Sequence, residues 1–295
     1  MTTWSAPIWL YLWLAGMAGG AYFAAFLAER FTGNGNGQLL RIATYLGAPL
    51  AVVGVILLVA DLGNPIRFWH LLTVFKAVSP MSIGTWILLI WIGVAVVMAI
   101  LWWAEASLSQ EAGRGLRQIT GALSWIGFVF AILVMAYTGV LLATSSQPLW
   151  TGTLLLPALF VASAVSTGVA MLIISGATGR TRLVPGKMVS RLAEADAILI
   201  VVELVVLVGY AIWLSASSTA GTSEALALLT SGALALPFWL GVVLLALLIP
   251  LGLEFASWGK KLETGGVWRT VITSSVFVIL GGLILRAVIV IGGQI

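Results

Sequence analysis

The chain has 295 residues, of which 61% are hydrophobic and only 8% charged, with 14 Trp, no Cys and a net charge of +4. With a mean hydropathy of +1.13, these values lie far outside the range of a soluble globular domain, so an integral membrane protein is expected. The pI of 9.7 points to anionic lipid rather than nucleic acid, because the basic residues gather in short loops.

A helix needs about 20 mostly apolar residues to cross the hydrocarbon. Eight such windows follow along the chain, at about 7–28, 39–60, 82–103, 118–143, 152–175, 193–215, 232–255 and 268–293. Runs such as "AVVGVILLVA" are apolar on every face, which fits helices and not the alternating strands of a barrel. The expected fold is all-α, with eight spans in one membrane domain and short connectors lacking a hydrophobic pattern of their own. The opening "MTTWSAPIWLYLWLAGMAGG" lacks a basic signal-peptide n-region, and its apolar run is too long for an h-region, so it reads as a retained first helix. Within it Gly16, Gly20, Ala24 and Ala28 recur every four residues, a stripe suited to close helix packing.

Eleven of the Lys and Arg residues fall in connectors 1, 3, 5 and 7, against Arg67 and Lys76 on the other side. By the positive-inside rule both termini lie outside the cytoplasm, and the chain belongs in the cell's inner (cytoplasmic) membrane. The outer face then carries "DLGNPIRFWHLL" (61–72), where scarce polarity is concentrated: an acid, a base and the only His.

Without Cys the chain has no iron–sulfur cluster of its own and no disulfide. One His excludes a bis-histidine haem. No phosphate loop, HExxH or GxSxG motif appears. The polypeptide is not a self-contained catalyst, and no metal ligand set is expected. What remains near the outer face is Asp61, Arg67 and His70, with Tyr11 one to two turns into the first helix and Tyr137 at similar depth in the fourth. A quinone needs an apolar slot with one or two hydrogen-bonding groups at its carbonyl oxygens, one of them able to pass a proton, and these side chains suit that role. A structural reading stands beside it: Asp61 pairs with Arg67 across a tight turn, His70 satisfies backbone, and Tyr11 belongs to the interfacial aromatic belt.

Taken in order, "DLGNPIRFWHLL", "SPMSIGTWILLIW", "AYTGVLLATSSQPLW" and "LPALFVASAVSTGVAML" resemble the membrane subunits of the NrfD/polysulfide reductase C family, and the likeness runs from about residue 5 to residue 293. The resemblance implies a haem-free quinone-reactive anchor in two four-helix bundles (1–143 and 152–293), working with menaquinone or ubiquinone. It also implies partners on the outer face, a four-cluster ferredoxin-like iron–sulfur subunit and a molybdopterin catalytic subunit. Tyr137 matches the family's Y-x-G tyrosine, and Asp61 and Arg67 match its DLG-x-P-x-R-F segment. Where polysulfide reductase carries a first-helix His, this chain has Tyr11, a poorer proton carrier; His70 is the substitute candidate.

Two charges lie deep within spans, Glu203 in "ILIVVELVVLV" and Arg286 in "LGGLILRAVIV". Each is unfavourable by about 2.5–3.5 kcal/mol at a helix centre unless partnered, so both should face the interior. Either they form a buried ion pair, bridged by a serine or water across about 10 Å of height, or Glu203 belongs to a proton route entered at Glu194 and Asp196. A secondary transporter is the competing function, resting on these charges and on Pro49, Pro237 and Pro250 as helix breakers. A purely structural anchor is the third.

Overall fold

The computed structural model describes residues 4–32, 37–62, 64–73, 75–76, 78–105, 110–150, 152–178, 186–217, 221–260 and 266–295. Its elements are helical: α1 (Ala6–Thr32), α2 (Gln38–Ala60), a 3-10 turn at Pro65–Arg67, α3 (His70–Thr73), α4 (Pro80–Glu105), α5 (Gln110–Ala143), α6 (Leu155–Thr178), α7 (Gly186–Ala216), α8 (Thr222–Thr230), a π-wound stretch Pro237–Leu248 running into α9 (Ile249–Ser257), and α10 (Val267–Gly292). Eight of these helices among the described residues have the length and apolar composition to cross a membrane.

Those spans lie on the eight expected windows with two informative shifts. The sixth starts earlier, at Gly186 instead of 193, because "GKMVSRLAEADA" continues as helix with Met188, Val189, Leu192 and Asp196 turned inward. The seventh starts later, at Pro237 instead of 232: the Gly232 N–H bonds back to Ala227 O and ends α8 there. Two connectors expected to be plain loops fold further, the second into the 3-10 turn and α3, the sixth into α8. Pro65 opens the 3-10 turn, where its missing N–H costs nothing.

Pro49, Pro237 and Pro250 do not break their spans. Pro49 sits inside a continuous α2. Pro237 opens the π-wound stretch, and Pro250 lies where π winding returns to α. The wider turn takes up the proline ring without interrupting the rod. The interrupted helices on which the transporter reading leaned are absent from the described residues.

The centre of the molecule is the crossing of α1 and α6. In each, 78% of the apolar stretch is buried, against 33% in α2 and 28% in α4. The cause is the small-residue stripe: a side chain on Gly20 would collide with the Ala164 carbonyl, and one on Gly168 with the backbone of Ala21. Backbones that touch in this way gain dispersion contacts, which lipid tails cannot replace. Around that crossing α1 also packs on α2, α5 and α10, while α6 packs on α5, α7 and α10. Both termini meet at one end, where the Gln294 side chain accepts from the Trp4 N–H and donates to the Trp4 carbonyl.

Candidate functional site

Tyr11 and Tyr137 come together inside the bundle, at the half nearer the termini. They are 1% and 7% exposed, and their hydroxyls lie beside one another. Tyr11 is therefore a core residue and not part of an aromatic belt. Glycines clear the space: a Cβ on Gly84 of α4 would overlap the Tyr137 ring, and one on Gly54 of α2 would stand 3.2 Å from the Tyr11 ring. Gly139, two residues past Tyr137, lets α5 close onto Pro157 at the start of α6. The two phenols thus form a neutral pair walled by four helices, α1, α2, α4 and α5.

Above them, the end of the bundle is held by side chain to backbone bonds. Asp61 caps α2 through its N–H to Leu57 O, and its carboxylate accepts from the Ser5 hydroxyl. Ser5 lies about 9 Å along α1 from Tyr11, at 1.5 Å per residue. The Arg67 side chain lies outside the described residues. His70 opens α3, exposed, with its ring stacked on Trp69 at 3.8 Å. Trp150, the last residue of "SSQPLW", is buried, donates to Ile289 O at 2.7 Å and packs at 5.1 Å from Trp4. The Tyr210 hydroxyl fastens the same loop through Leu149 O.

A second set of polar groups runs through α6, α7, α9 and α10. Arg286 is fully buried. Its Nη1 donates to Ser163 Oγ at 3.2 Å and to Gly282 O at 2.9 Å, and the guanidinium lies over the Phe160 ring at 5.3 Å. The Ser163 hydroxyl also lies beside the Glu203 carboxylate, so a serine stands between the two intramembrane charges. Gly16 makes room for the guanidinium, since a Cβ there would lie 3.0 Å from Nη2.

Toward the other end, Asp196 accepts from Ser166 at 2.7 Å and Glu254 from Ser274 at 2.8 Å. Both acids are buried and lie against one another. Asp196 Oδ2 and Glu254 Oε2 find no protein N–H or hydroxyl donor. Two carboxyl groups placed this close repel one another when both are ionised. A narrow cleft with room for about one water reaches Glu254 between Ser190, Glu194, Trp258 and Lys260.

The family model described as "Polysulphide reductase, NrfD" matches residues 1–295. This chain belongs to the NrfD family. It is 33% identical to the C subunit of polysulfide reductase from Wolinella succinogenes, over 99% of this chain and 94% of that protein. It is 28% identical to protein NrfD of Escherichia coli K12, over 99% of this chain and 95% of that one, and 28% identical to an NrfD homologue of Haemophilus influenzae at 99% and 94%.

Within this NrfD-family protein the sequence motifs divide by role. "AYTG" supplies Tyr137 and the α5–α6 contact, "SIG" the window for its ring, and "SSQPLW" a wedge that binds the termini end. "ASAVSTG" presents Ser163 and Ser166 to the two halves of the polar line. Sequence reasoning missed Glu254, Ser163, Ser166 and Gly84. For Glu254 the signal was there, a carboxylate inside the apolar window 232–255. For the serines and glycine no local signal exists, since small residues stud every span. Among the described residues no three of His, Asp and Glu converge as a metal site.

Proposed function

We propose that this chain is the haem-free membrane anchor of a respiratory oxidoreductase, exchanging electrons between the quinone pool and an iron–sulfur subunit that in turn serves a molybdopterin catalytic subunit. Family membership and the name of the Wolinella relative support a subunit of a redox complex. The single observation that carries the site is the buried Tyr11–Tyr137 pair close to the end where both termini meet. A quinone, when bound, supplies reversible two-electron, two-proton redox chemistry.

The residues present suit such a ring. Two phenols in an apolar wall offer hydrogen bonds at carbonyl positions without a net charge to desolvate. They stand side by side, and the glycine windows hold their rings in place. Asp61 supplies polarity at the rim, and Arg67 and His70 of the same sequence motif are proposed with it. The termini end faces outward in this reading, because eleven of the chain's Lys and Arg residues fall in connectors 1, 3, 5 and 7 of the sequence. The partner subunits dock there, and the chain lies in the inner membrane. Residues 1–143 and 152–293 form two four-helix bundles, a grouping supported by the mutual packing of α1, α2, α4 and α5 and of α6, α7, α9 and α10.

The polar line supports a proton route from the basic end: Glu194 and the cleft, then the Glu254–Asp196 pair, then Glu203, Ser163 and Arg286. Asp196 and Glu203 are separated by two turns, about 10 Å, which water must span. The alternative role of the line is a buried electrostatic tie joining α6, α7 and α10.

The deciding experiment is Tyr137→Phe in the intact complex. Quinone-linked turnover should collapse while dye-linked activity at the catalytic subunit persists. Equal loss of both activities assigns Tyr137 to assembly, and unchanged quinone turnover sinks the site.

A further inference from the structure

At the end opposite the termini, one cavity lies among the ends of α1, α2, α4 and α5, and a second lies along the seam of α2 and α4. The first, about 510 Å3, is polar and lined by Glu29, Arg30, Arg41, Trp102, Glu105 and Arg117. The second, about 450 Å3, is apolar and lined by Tyr45, Ala48, Val52, Val96, Ala99 and Trp103 among others. Trp102 and Trp103, consecutive in α4, each line one of them.

The polar cavity has the charge of an anion site. Glu105 is bound by Arg41 and Arg117 at 2.6 Å each, leaving that triad one positive charge in excess. Glu29 is engaged by the Leu40 N–H at 3.0 Å. Arg30 lies over the Trp125 ring at 5.3 Å and Arg41 over Trp102 at 5.4 Å, so both guanidinium planes are oriented by aromatic faces. The buried Arg41 Nε has no acceptor. A donor left without a partner costs free energy that an anionic oxygen would recover.

The apolar cavity has the shape of an acyl chain site. Ala48 and Ala99 face it with methyl groups alone, and Pro49 removes a backbone N–H from α2 at the same level. Along α2 the groove runs from Thr44 to Val52, about 12 Å, most of the roughly 15 Å depth of one leaflet. An unfilled groove of this kind would forfeit dispersion contacts on both walls.

We infer that this seam is a specific site for one anionic phospholipid, its phosphate in the arginine-lined cavity and an acyl chain in the groove between α2 and α4. The site is independent of the quinone reading and lies at the other end of the bundle from the tyrosine pair. It holds α2 and α4, with 33% and 28% of their apolar stretches buried, against the α1–α6 core.

The test uses the purified complex in nanodiscs of equal phosphatidylglycerol and phosphatidylcholine, with retained lipid measured by native mass spectrometry after delipidation. The wild type should retain phosphatidylglycerol over phosphatidylcholine in a ratio of about five to one, the ratio for about 1 kcal/mol, the share of one basic residue near the membrane surface. Arg30→Gln, at an exposed position, should bring that ratio near one without loss of folding, and Ala48→Leu with Ala99→Leu should abolish retention of both lipids. Retention at the bulk ratio in the wild type overturns the proposal. So does an isoprenoid quinone retained in the groove and expelled by Ala48→Leu, or inorganic phosphate protecting the cavity as well as the whole lipid.

Discussion

The Tyr11–Tyr137 pair and the Asp196–Glu254 pair solve the same problem, two polar side chains in an apolar bundle, by different chemistry. The phenols are neutral, lie side by side and need only space, supplied by Gly54 and Gly84. The carboxyls are ionisable, lie against one another and are each tied by a serine. The first arrangement suits recognition of a neutral ring, and the second suits storing and passing a proton. The two lie in different sets of helices, joined through the α1–α6 crossing, where Gly16 of the tyrosine-bearing helix touches Arg286 of the carboxylate line.

That division can be broken one side at a time. The largest effect is expected from Tyr137→Phe, which should lower quinone-linked turnover of the complex by about 100-fold or more, the range for loss of a positioned proton-transfer group, with dye-linked turnover as the internal control. Next, Arg286→Met removes the cation that faces Glu203 through Ser163, and should destabilise the protein by about 3–5 kcal/mol, as for breaking a buried charge pair; thermal unfolding in detergent measures it. Restored stability in the Arg286→Met, Glu203→Gln double variant would confirm that the two act as one unit.

Gly84→Ala should cost about 1–3 kcal/mol by overpacking against the Tyr137 ring, and should raise the KM for quinone before it alters stability of the α6–α10 half. Asp196→Asn keeps the shape and one hydrogen-bond acceptor, so a stability change of about 1 kcal/mol is expected. Proton uptake coupled to quinone turnover, followed in vesicles, should fall sharply; unchanged coupling would leave the carboxylate line a purely structural tie. The smallest effect belongs to His70→Ala, with less than about 0.5 kcal/mol on stability at this exposed site. Slowed quinone turnover with dye-linked activity intact would place His70 at the rim of the site, and unchanged turnover would remove it from the site.

Several features are legible in the amino-acid order. Continuous apolar runs dictate helices because lipid offers backbone groups no other partner, and the eight spans stand where hydropathy puts them. The stripe at Gly16 and Gly20 announces a close helix contact. Tyr11 and Tyr137 are recognisable as candidates by depth and residue type. Their union is not, since 126 positions of chain separate them and only the packing of α1 against α5 decides it. Glu203 and Arg286 are legible as a charge pair needing a bridge, but the bridging Ser163 has no sequence mark among the many serines of these spans. Asp196 reads as the entrance of a route, whereas its partner Glu254 emerges only when α7 and α9 meet.

Alone, the residues in their order determined that this protein lives in a bilayer, crosses it as helices and brings no cysteine-bound cluster, because transfer free energies and ligand chemistry are properties of residues taken one by one. Tertiary structure decided which polar groups meet. Inside an apolar bundle a phenol, carboxyl or guanidinium must find its complement on another helix, and that choice depends on crossing geometry set by small residues far from the charges they serve.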